Sequence, residues 1–419
     1  MLKKFASKLL LLSVSVVLTL VFAEIVLRIA HIGYPSLGGK LLFLQPDPYT
    51  GLLLKPGVSV KAYIENDVTV KTNSAGFHDR EHSKQKPPNT FRIAVLGDSF
   101  TEALQVPIEK TFSSVLEREL AGCSELKGKN VEVINFGISG YGTAQELQML
   151  RHYAWDYSPD LVLLAFFTGN DAQNNSRPLQ QDDYRPYFLL QNGKLVLDDS
   201  FLSAPDFRSR FSPFKVFVSW SVAHSHLLQV AAAAKNYISQ RNVEGVKTTE
   251  MGLSDDIYHE PTDPVWKDAW NVTDALIAEM GDEVKARGAQ FLVVTLSSSI
   301  QVDPDPAARE QLMKRLGVPN LFYPDEHVAQ VSKRDDIPVL TLAPIFLQYA
   351  QEHHAHLHGF RGSNQGHWNE SAHQLGGELM AQKICGMQTS PAASTPARAA
   401  AGISHGMSSP AVNESGANE

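Results

Sequence analysis

The sequence predicts an α/β fold whose parallel sheet is covered by helices on both faces. One observation is a series of five short, almost entirely apolar runs, which are typical of strands buried on both sides. The other is that stretches of helical length separate or follow these runs, as expected of parallel strands joined by crossover helices. In such sheets the functional residues lie at the carboxyl ends of the strands.

The predicted elements begin at residue 91. The predicted strands are residues 91–96, 131–136, 160–167, 290–296 and 338–342. The predicted helices are residues 111–120, 144–155, 266–286, 325–333 and 371–384. We therefore place the main domain at residues 91–387.

The N-terminal segment, residues 1–31, is predicted to enter or cross a membrane. Lysines precede an apolar run at residues 9–23, which has the length of a signal-peptide core, and residues 21–23 would suit a cleavage site. Glu24 and Arg28 stand four apart and can neutralise each other on one helix face, which extends the apolar helix to a spanning length. We favour a retained membrane anchor whose N-terminus lies on the inner side of the membrane. A cleaved signal peptide would export the domain as well.

Three other segments flank or interrupt the predicted sheet. Residues 32–90 are interpreted as a stalk that becomes an edge of the domain, with a turn in the sequence NSAGF. Residues 172–262 form an insertion after the third strand, with a hairpin pattern around Asn192-Gly193 and an apolar helical stretch at 214–238. The insertion either shields the sheet edge or acts as a lid or lipid-contacting surface. The composition of residues 388–419 predicts disorder.

Composition excludes several classes of protein. The net charge of −8 argues against a nucleic-acid partner, because phosphate binding needs a basic surface. Two cysteines cannot build a disulfide-rich scaffold, and no CxxC metal spacing occurs. A group of histidines lacks the acidic or cysteine partner of a zinc site, so a solvated loop is the favoured interpretation: His353, His354, His356 and His358. We expect no metal and no cofactor.

Four sequence blocks carry chemically useful side chains near the predicted strand ends. GDSFT places Ser99 at a helix entrance, where backbone N–H groups favour negative charge, and NFGISGYG supplies glycine N–H groups. TGND offers the Asn170 amide to an oxyanion, and GHWN offers His367 as the base for a serine. Each block alone also fits a helix cap, a turn or a structural histidine. Together and in this order they predict acyl transfer.

The blocks GDSFT, NFGISG, TGND and GHWN resemble blocks I, II, III and V of the SGNH (GDSL-like) hydrolase superfamily, over residues 91–386. The resemblance implies a flavodoxin-like three-layer α/β/α fold and acyl-ester chemistry. It implies that Ser99 is the nucleophile and His367 the base. The implied oxyanion hole consists of the Ser99 N–H, the Gly140 N–H and the Asn170 side-chain amide. The anchor and the preceding NSAGFHD sequence are similar to those of exported members.

The sequence departs from the family pattern beside the histidine. The family usually places an aspartate two or three residues before it, where this chain has Gln365 and Asn364. We therefore expect a Ser–His dyad whose ring is oriented by an amide or carbonyl, with a carboxylate from elsewhere, such as Glu352 or Glu370, left open. A second departure is Ala103, where the family often has glycine and where a methyl could narrow the pocket.

Several other side chains receive structural interpretations. His373 follows Glu370 at acid-x-x-His spacing and is a rival base, but the HWN context favours His367. Asp98 and Asp171 are expected to hold the loops that carry Ser99 and Asn170. In a flavodoxin-like sheet the first and last helices share a face, so we predict a disulfide between the cysteines that end them, Cys123 and Cys385.

The sequence therefore predicts a membrane-anchored esterase or deacylase on the extracytoplasmic side, which forms an acyl-serine intermediate. The expected substrate is an acyl ester on an envelope carbohydrate or lipid. Two alternatives remain open at this stage. One is an O-acyltransferase for envelope polysaccharide, in which a sugar hydroxyl replaces water. The other is a non-catalytic glycan-binding module, for which the missing aspartate is the only support.

Overall fold

A five-stranded parallel sheet forms the centre of the structure, a computed structural model that describes residues 2–30, 32, 43–241, 250 and 253–389. The strands are β1 (Leu44–Asp47), β2 (Gly51–Leu54), β3 (Ser59–Ile64), β4 (Asn66–Lys71), β5 (Thr90–Gly97), β6 (Asn130–Asn135), β7 (Leu161–Phe167), β8 (Tyr187–Gln191), β9 (Lys194–Asp198), β10 (Gln290–Leu296) and β11 (Val339–Thr341). The α-helices are α1 (Leu2–Ile29), α2 (Ser99–Glu102), α3 (Phe112–Leu120), α4 (Thr143–His152), α5 (Asp171–Asn174), α6 (Arg177–Gln180), α7 (Pro205–Arg210), α8 (Pro213–His224), α9 (His226–Arg241), α10 (Pro264–Ala286), α11 (Pro306–Leu316), α12 (Tyr323–Arg334), α13 (Ala343–His353) and α14 (Glu370–Gln388).

The central sheet has the strand order β6-β5-β7-β10-β11, and all four neighbouring pairs are parallel. In chain order this is 2-1-3-4-5, the arrangement of flavodoxin-like folds. The predicted five-stranded parallel sheet is confirmed. Because the strand order reverses beside β5, a crevice forms at its carboxyl end, where the first sequence block lies.

Alternating side chains of each strand supply two separate apolar cores. In β5, Ala94 and Leu96 face one core, whereas Ile93 and Val95 face the other. Helices α4, α10 and α12 cover the first face, and α3, α13 and α14 cover the second. The structure is therefore the three-layer α/β/α arrangement that the resemblance implies.

The predicted disulfide is confirmed on the second face. Cys123 follows α3 and Cys385 lies in α14, with their Cα atoms 5.8 Å apart. The two helices pack directly against each other, so the bond joins neighbouring elements that are 262 positions apart in sequence.

The insertion contains more helix breaks than its sequence predicts. The hairpin is confirmed: β8 and β9 pair around Asn192 and Gly193, whose φ angles of 53° and 74° suit a two-residue turn. The apolar stretch at 214–238 is not one helix, because Ser225 adopts an extended conformation between α8 and α9. Outside the insertion, the sequence did not predict helices α11 and α13.

Residues 43–90, which belong to the segment interpreted as a stalk that becomes an edge of the domain, pack on the domain. Two antiparallel hairpins, β1–β2 and β3–β4, lie in this segment. Leu54, Val70 and Phe77 are buried in the first apolar core, and Tyr141 Oη donates a hydrogen bond to the Leu52 carbonyl. Residues 33–42 of the predicted stalk and 390–419 of the predicted tail lie outside the described residues.

Helix α1 is long and apolar enough to cross a membrane. Residues Phe5–Ile29 have a mean hydropathy of 2.6, and none of their most apolar window is buried. A signal sequence has the same properties. The expected pair between Glu24 and Arg28 is present, with 2.7 Å between the charged atoms.

Candidate active site

Ser99 stands where β5 meets α2. Gly97 is needed just before it, because a Cβ at that position would lie 2.1 Å from Thr101 Oγ1. The buried Asp98 caps α2 by accepting a 2.9 Å hydrogen bond from the Phe100 N–H, and burial raises the pKa of this carboxyl to about 6. Asp98 therefore holds the turn that presents the serine, as its sequence position suggests.

His367 lies between Ser99 and a carboxylate. Its Nε2 is 2.8 Å from Ser99 Oγ, and its Nδ1 is 2.6 Å from Glu65 Oε1. The His367 backbone N–H donates a second hydrogen bond of 2.9 Å to Glu65 Oε2. A carboxylate, an imidazole and a hydroxyl in this order form the arrangement of a serine hydrolase triad.

Glu65 reaches the histidine from the tip of the β3–β4 hairpin. It has a φ of 61°, in the left-handed region that suits a tight turn. Gly366 makes room for it, since a Cβ on this glycine would lie 2.5 Å from Glu65 Oε2. The glycine of the GHWN block thus has a specific steric function, which is to let the carboxylate approach the histidine.

The structure corrects the expected dyad. Asn364 contacts His356, the backbone N–H of Gln365 donates to Ser363, and Glu370 lies 3.5 Å from the amine of Lys110. Glu352 accepts a hydrogen bond from Gln348. Among the described contacts, none of these predicted orienting groups reaches the His367 ring. The carboxylate comes from Glu65, 302 positions earlier in the chain, where no spacing rule of the family would place it.

The contacts of Glu65 keep it ionised. Burial opposes its negative charge, but the hydrogen bonds from the His367 ring and backbone N–H outweigh burial and lower the pKa of the Glu65 carboxyl. A hydrogen bond from Nδ1 to an ionised carboxylate leaves Nε2 unprotonated toward Ser99. With the Nδ1 proton directed at Glu65, the orientation of the ring places Nε2 where it can accept the serine proton.

Two other histidines are buried and support the fold around the site. His358 Nδ1 is 2.7 Å from the Gly366 carbonyl, and burial lowers the pKa of His358 to about 4. A neutral His358 donates this hydrogen bond and fixes the loop that carries His367. His373 Nδ1 accepts from the Phe112 N–H, and burial lowers its pKa to about 3. His373, the rival base, is thus a structural residue.

Of the groups predicted to form the oxyanion hole, Asn170 lines the cavity beside Ser99, whereas Gly140 is not one of the described residues that line it. Asn170 begins α5 and lines the same cavity as Ser99, while Asp171 accepts a 2.7 Å hydrogen bond from the end of β7 and closes the turn. Gly140 has a φ of 82°, and its carbonyl accepts a 2.6 Å hydrogen bond from Arg185. In the part of the chain that the structure describes, no hydrogen bond joins Gly140 to Ser99, so the oxyanion role of Gly140 stays a prediction.

A cavity of about 390 Å³ opens beside Ser99. Its apolar wall includes Leu253 and the stacked rings of Phe100 and Phe167, whose centroids are 3.9 Å apart. The buried carboxylate of Glu250 adds a polar group. Glu250 and Leu253 belong to the insertion, which therefore forms part of the wall. A larger cavity of about 500 Å³ lies at the amino-terminal edge of the sheet, away from these side chains.

Ala103 ends α2 with a φ of 54°. This left-handed conformation favours glycine, which explains the family preference by backbone geometry. The methyl is buried, and Ala103 is not among the described residues that line the cavity. The expectation that it narrows the pocket is therefore wrong.

Comparisons with known proteins give partial matches. No family model matches the chain. An arylesterase from Vibrio mimicus is 40% identical over 73 residues, which are 17% of this chain and 34% of that protein. The chain therefore aligns with only about a third of the length of this curated relative.

The solved structures with a similar backbone trace include three bacterial proteins that have low sequence identity to this chain. A protein assigned to the G-D-S-L lipolytic family of Desulfitobacterium hafniense DCB-2 is 12% identical and covers 70% of this chain and 98% of its own, with a TM-score of 0.34. A lipase/acylhydrolase from Enterococcus faecalis is 13% identical over 71% of this chain and 96% of its own, with a TM-score of 0.36. A variant acetyl xylan esterase from Geobacillus stearothermophilus is 10% identical over 72% and 97%, also at 0.36.

The fold itself follows from the sheet order and parallel register of this chain. The four sequence blocks lie around the carboxyl ends of that sheet, and the arylesterase shares part of the sequence. The chain is thus similar to the SGNH (GDSL-like) hydrolases.

Proposed function

We propose that the chain is a serine esterase of the SGNH type that forms an acyl-enzyme on Ser99. The observation that carries the proposal is the unbroken contact from Glu65 through His367 to Ser99, at 2.6 Å and 2.8 Å. In acyl transfer these groups act as the carboxylate that orients the histidine, the general base and the nucleophile. The presence of Glu65 also speaks against a decayed glycan-binding module, because that rival rested on the missing acid.

The reaction begins when Ser99 Oγ attacks the ester carbonyl and His367 Nε2 takes the serine proton. Glu65 stabilises the imidazolium that forms, because its negative charge faces the other ring nitrogen. The tetrahedral intermediate collapses, the bond to the alcohol breaks, and His367 returns its proton to the leaving alkoxide. A water molecule or a sugar hydroxyl then gives its proton to His367 and attacks the acyl-serine; the bond from the acyl carbon to Ser99 Oγ breaks, His367 returns the proton to Ser99 Oγ, and the acid or the acylated sugar leaves.

The negative charge on the carbonyl oxygen needs hydrogen-bond donors. We assign this role to the Asn170 amide and to the N–H groups of Ser99 and Gly140. The N-terminal end of α2 adds a favourable field at Ser99.

Helix α1 is proposed as a retained anchor, with the domain outside the membrane. It is continuous through residues 21–23, the candidate cleavage site, and Glu24 and Arg28 after it bind the insertion. The disulfide suits an oxidising compartment. An enzyme in this place would meet acyl esters on envelope carbohydrates or lipids, and an envelope sugar would be the acceptor if the enzyme is a transferase.

The test uses the full chain with a fluorophosphonate probe and a short acetyl ester. Ser99→Ala and His367→Ala should abolish turnover, and Ser99→Ala should abolish labelling. Ser124→Ala is the matched control, because Ser124 is an exposed serine that does not line this cavity, and the substitution should leave both signals intact. Labelling of Ser99→Ala at the wild-type rate, or folded wild type that neither labels nor turns over, would refute the proposal. Acyl transfer to an added oligosaccharide that exceeds hydrolysis would favour the transferase.

A further inference from the structure

The two apolar helices of the insertion carry an exposed face that the esterase site does not use. On α8, Phe214 is 74% exposed, Phe217 62% and Trp220 50%. The last two follow at helical spacing and continue into His224, whose ring stacks on Trp220 with centroids 4.6 Å apart. Large apolar side chains grouped this way on a surface indicate a binding face.

The junction of α8 and α9 is bonded to helix α1. Glu24 accepts hydrogen bonds from Ser225 Oγ at 3.0 Å and from the backbone N–H groups of His226 and Leu227 at 3.1 Å and 2.9 Å. It therefore caps the N-terminus of α9, and its negative charge suits the helix dipole there.

Arg28 binds the other side of the same junction. Its Nη2 donates a 2.6 Å hydrogen bond to the His224 carbonyl, so a cation faces the C-terminal end of α8. The Arg28 Nε also donates to Glu24 Oε1 at 2.8 Å. One ion pair of the candidate anchor thus bonds to both helices of the insertion, which fixes α8 and α9 beside the outer end of α1.

The position of this junction identifies what covers the apolar face. The candidate span runs from Phe5 to Ile29, so Glu24 and Arg28 lie in its last two turns, near the level where the hydrocarbon layer gives way to the headgroups. Tryptophan beside phenylalanine is the composition that favours that level. A helix held there with large apolar side chains on its exposed face is positioned to contact the bilayer surface.

We propose that α8 is an interfacial helix that inserts its Phe217–Trp220 face into the outer leaflet beside α1. The inference rests on the retained anchor proposed above. It goes beyond esterase activity, because it gives the insertion a lipid bilayer as its partner. Since the insertion also supplies Glu250 and Leu253 to the active-site wall, the membrane contact would hold the cavity close to the bilayer surface.

The experiment reconstitutes the full chain in vesicles of phosphatidylcholine and phosphatidylglycerol, with or without bromine on the acyl chains. Bromine quenches tryptophan that lies in the hydrocarbon or interfacial layer. Wild type should lose a part of its emission that Trp220→Phe does not lose. Trp155→Phe is the matched control, because Trp155 packs at Glu283 on the domain: it should lose the same amount of emission to bromine as wild type, so its quenched fraction should be no smaller than that of wild type.

Equal fractional quenching of wild type and Trp220→Phe would overturn the inference. The inference would also be overturned if the emission of Trp220 is not quenched by bromine but changes with the density of protein in the vesicles. That result would indicate that a second copy of the chain covers this face. Intact mass of the reconstituted protein separates failure of the anchor from failure of this inference. Full mass without Trp220 quenching refutes the interfacial helix alone, whereas cleavage near Ala23 refutes the anchor and the inference with it. Neither result affects the assay of Ser99.

Discussion

Replacing Glu65 by glutamine keeps the size of the side chain but removes the charge that faces His367. A unit pair about 4 Å apart interacts by about 4 kcal/mol at an effective dielectric constant near 20. Because the Glu65 side chain is 33% exposed, solvent screening reduces this to about 3 kcal/mol. That energy is lost mainly when the imidazolium forms, so we expect kcat to fall about 10²-fold. An amide that donates to Nδ1 would select the wrong tautomer and bring the loss toward about 10⁴-fold.

The assay measures kcat and KM for an acetyl ester together with the rate of fluorophosphonate labelling. Glu81→Gln is the matched control, because Glu81 is a carboxylate in the following segment that binds Ser74 and should leave the rate unchanged. The labelling rate of Glu65→Gln should fall with kcat, since both need an activated serine. A folded Glu65→Gln protein with wild-type kcat would show that the carboxylate does not assist the base.

Three further predictions concern the site, the buried charges and the anchor. Gly366→Ala places a methyl against the Glu65 carboxylate and an alanine at a φ of 105°, so it should lower kcat about 10-fold or more and should also lower the melting temperature; unchanged kcat would refute the steric function of the glycine. Burial raises the pKa of Glu102 to about 7 from 4.5, so the folded chain holds this proton more tightly than the unfolded chain. The free energy of unfolding should then fall by at most about 3 kcal/mol as pH rises from about 4.5 to 7, and urea titrations of Glu102→Gln should show a flatter profile. Glu24→Ala removes the cap of α9, so hydrogen exchange in α8 and α9 should become faster while exchange in α14 stays the same; unchanged rates in α9 would contradict the docking.

The local sequence was sufficient to predict the sheet and most of the site. Buried parallel strands are continuous apolar runs, and the GDSFT and GHWN blocks contain their own glycines and caps, so Ser99 and His367 could be found by pattern. The disulfide followed from which helices share a face. These features depend on short stretches of chain or on a topology that the strands determine.

Glu65 could not be found in this way, because its role depends on where a hairpin outside the predicted domain docks. No apolar periodicity or motif identifies Glu65 in the sequence, and its partner His367 is 302 positions away. The left-handed turn at Glu65 and the missing side chain at Gly366 become informative only when both are seen together. The break at Ser225 is similar: the apolar pattern continues through it, and the bonds to Glu24 and Arg28 that stabilise the break come from a distant helix.

The bond between Cys123 and Cys385 bears on how the chain matures. It encloses 262 positions, a loop whose closure restricts the unfolded chain by about 6 kcal/mol in entropic models. Cys385 lies in the last helix of the domain, so this bond can form only after almost the whole domain has left the ribosome and reached an oxidising compartment. Until then α14, which directly follows the His367 loop, is held against α3 by packing and by hydrogen bonds such as that from the Phe112 N–H to His373 Nδ1. Oxidation would therefore be a late step of biogenesis, one that secures the base near its serine once the protein has been delivered.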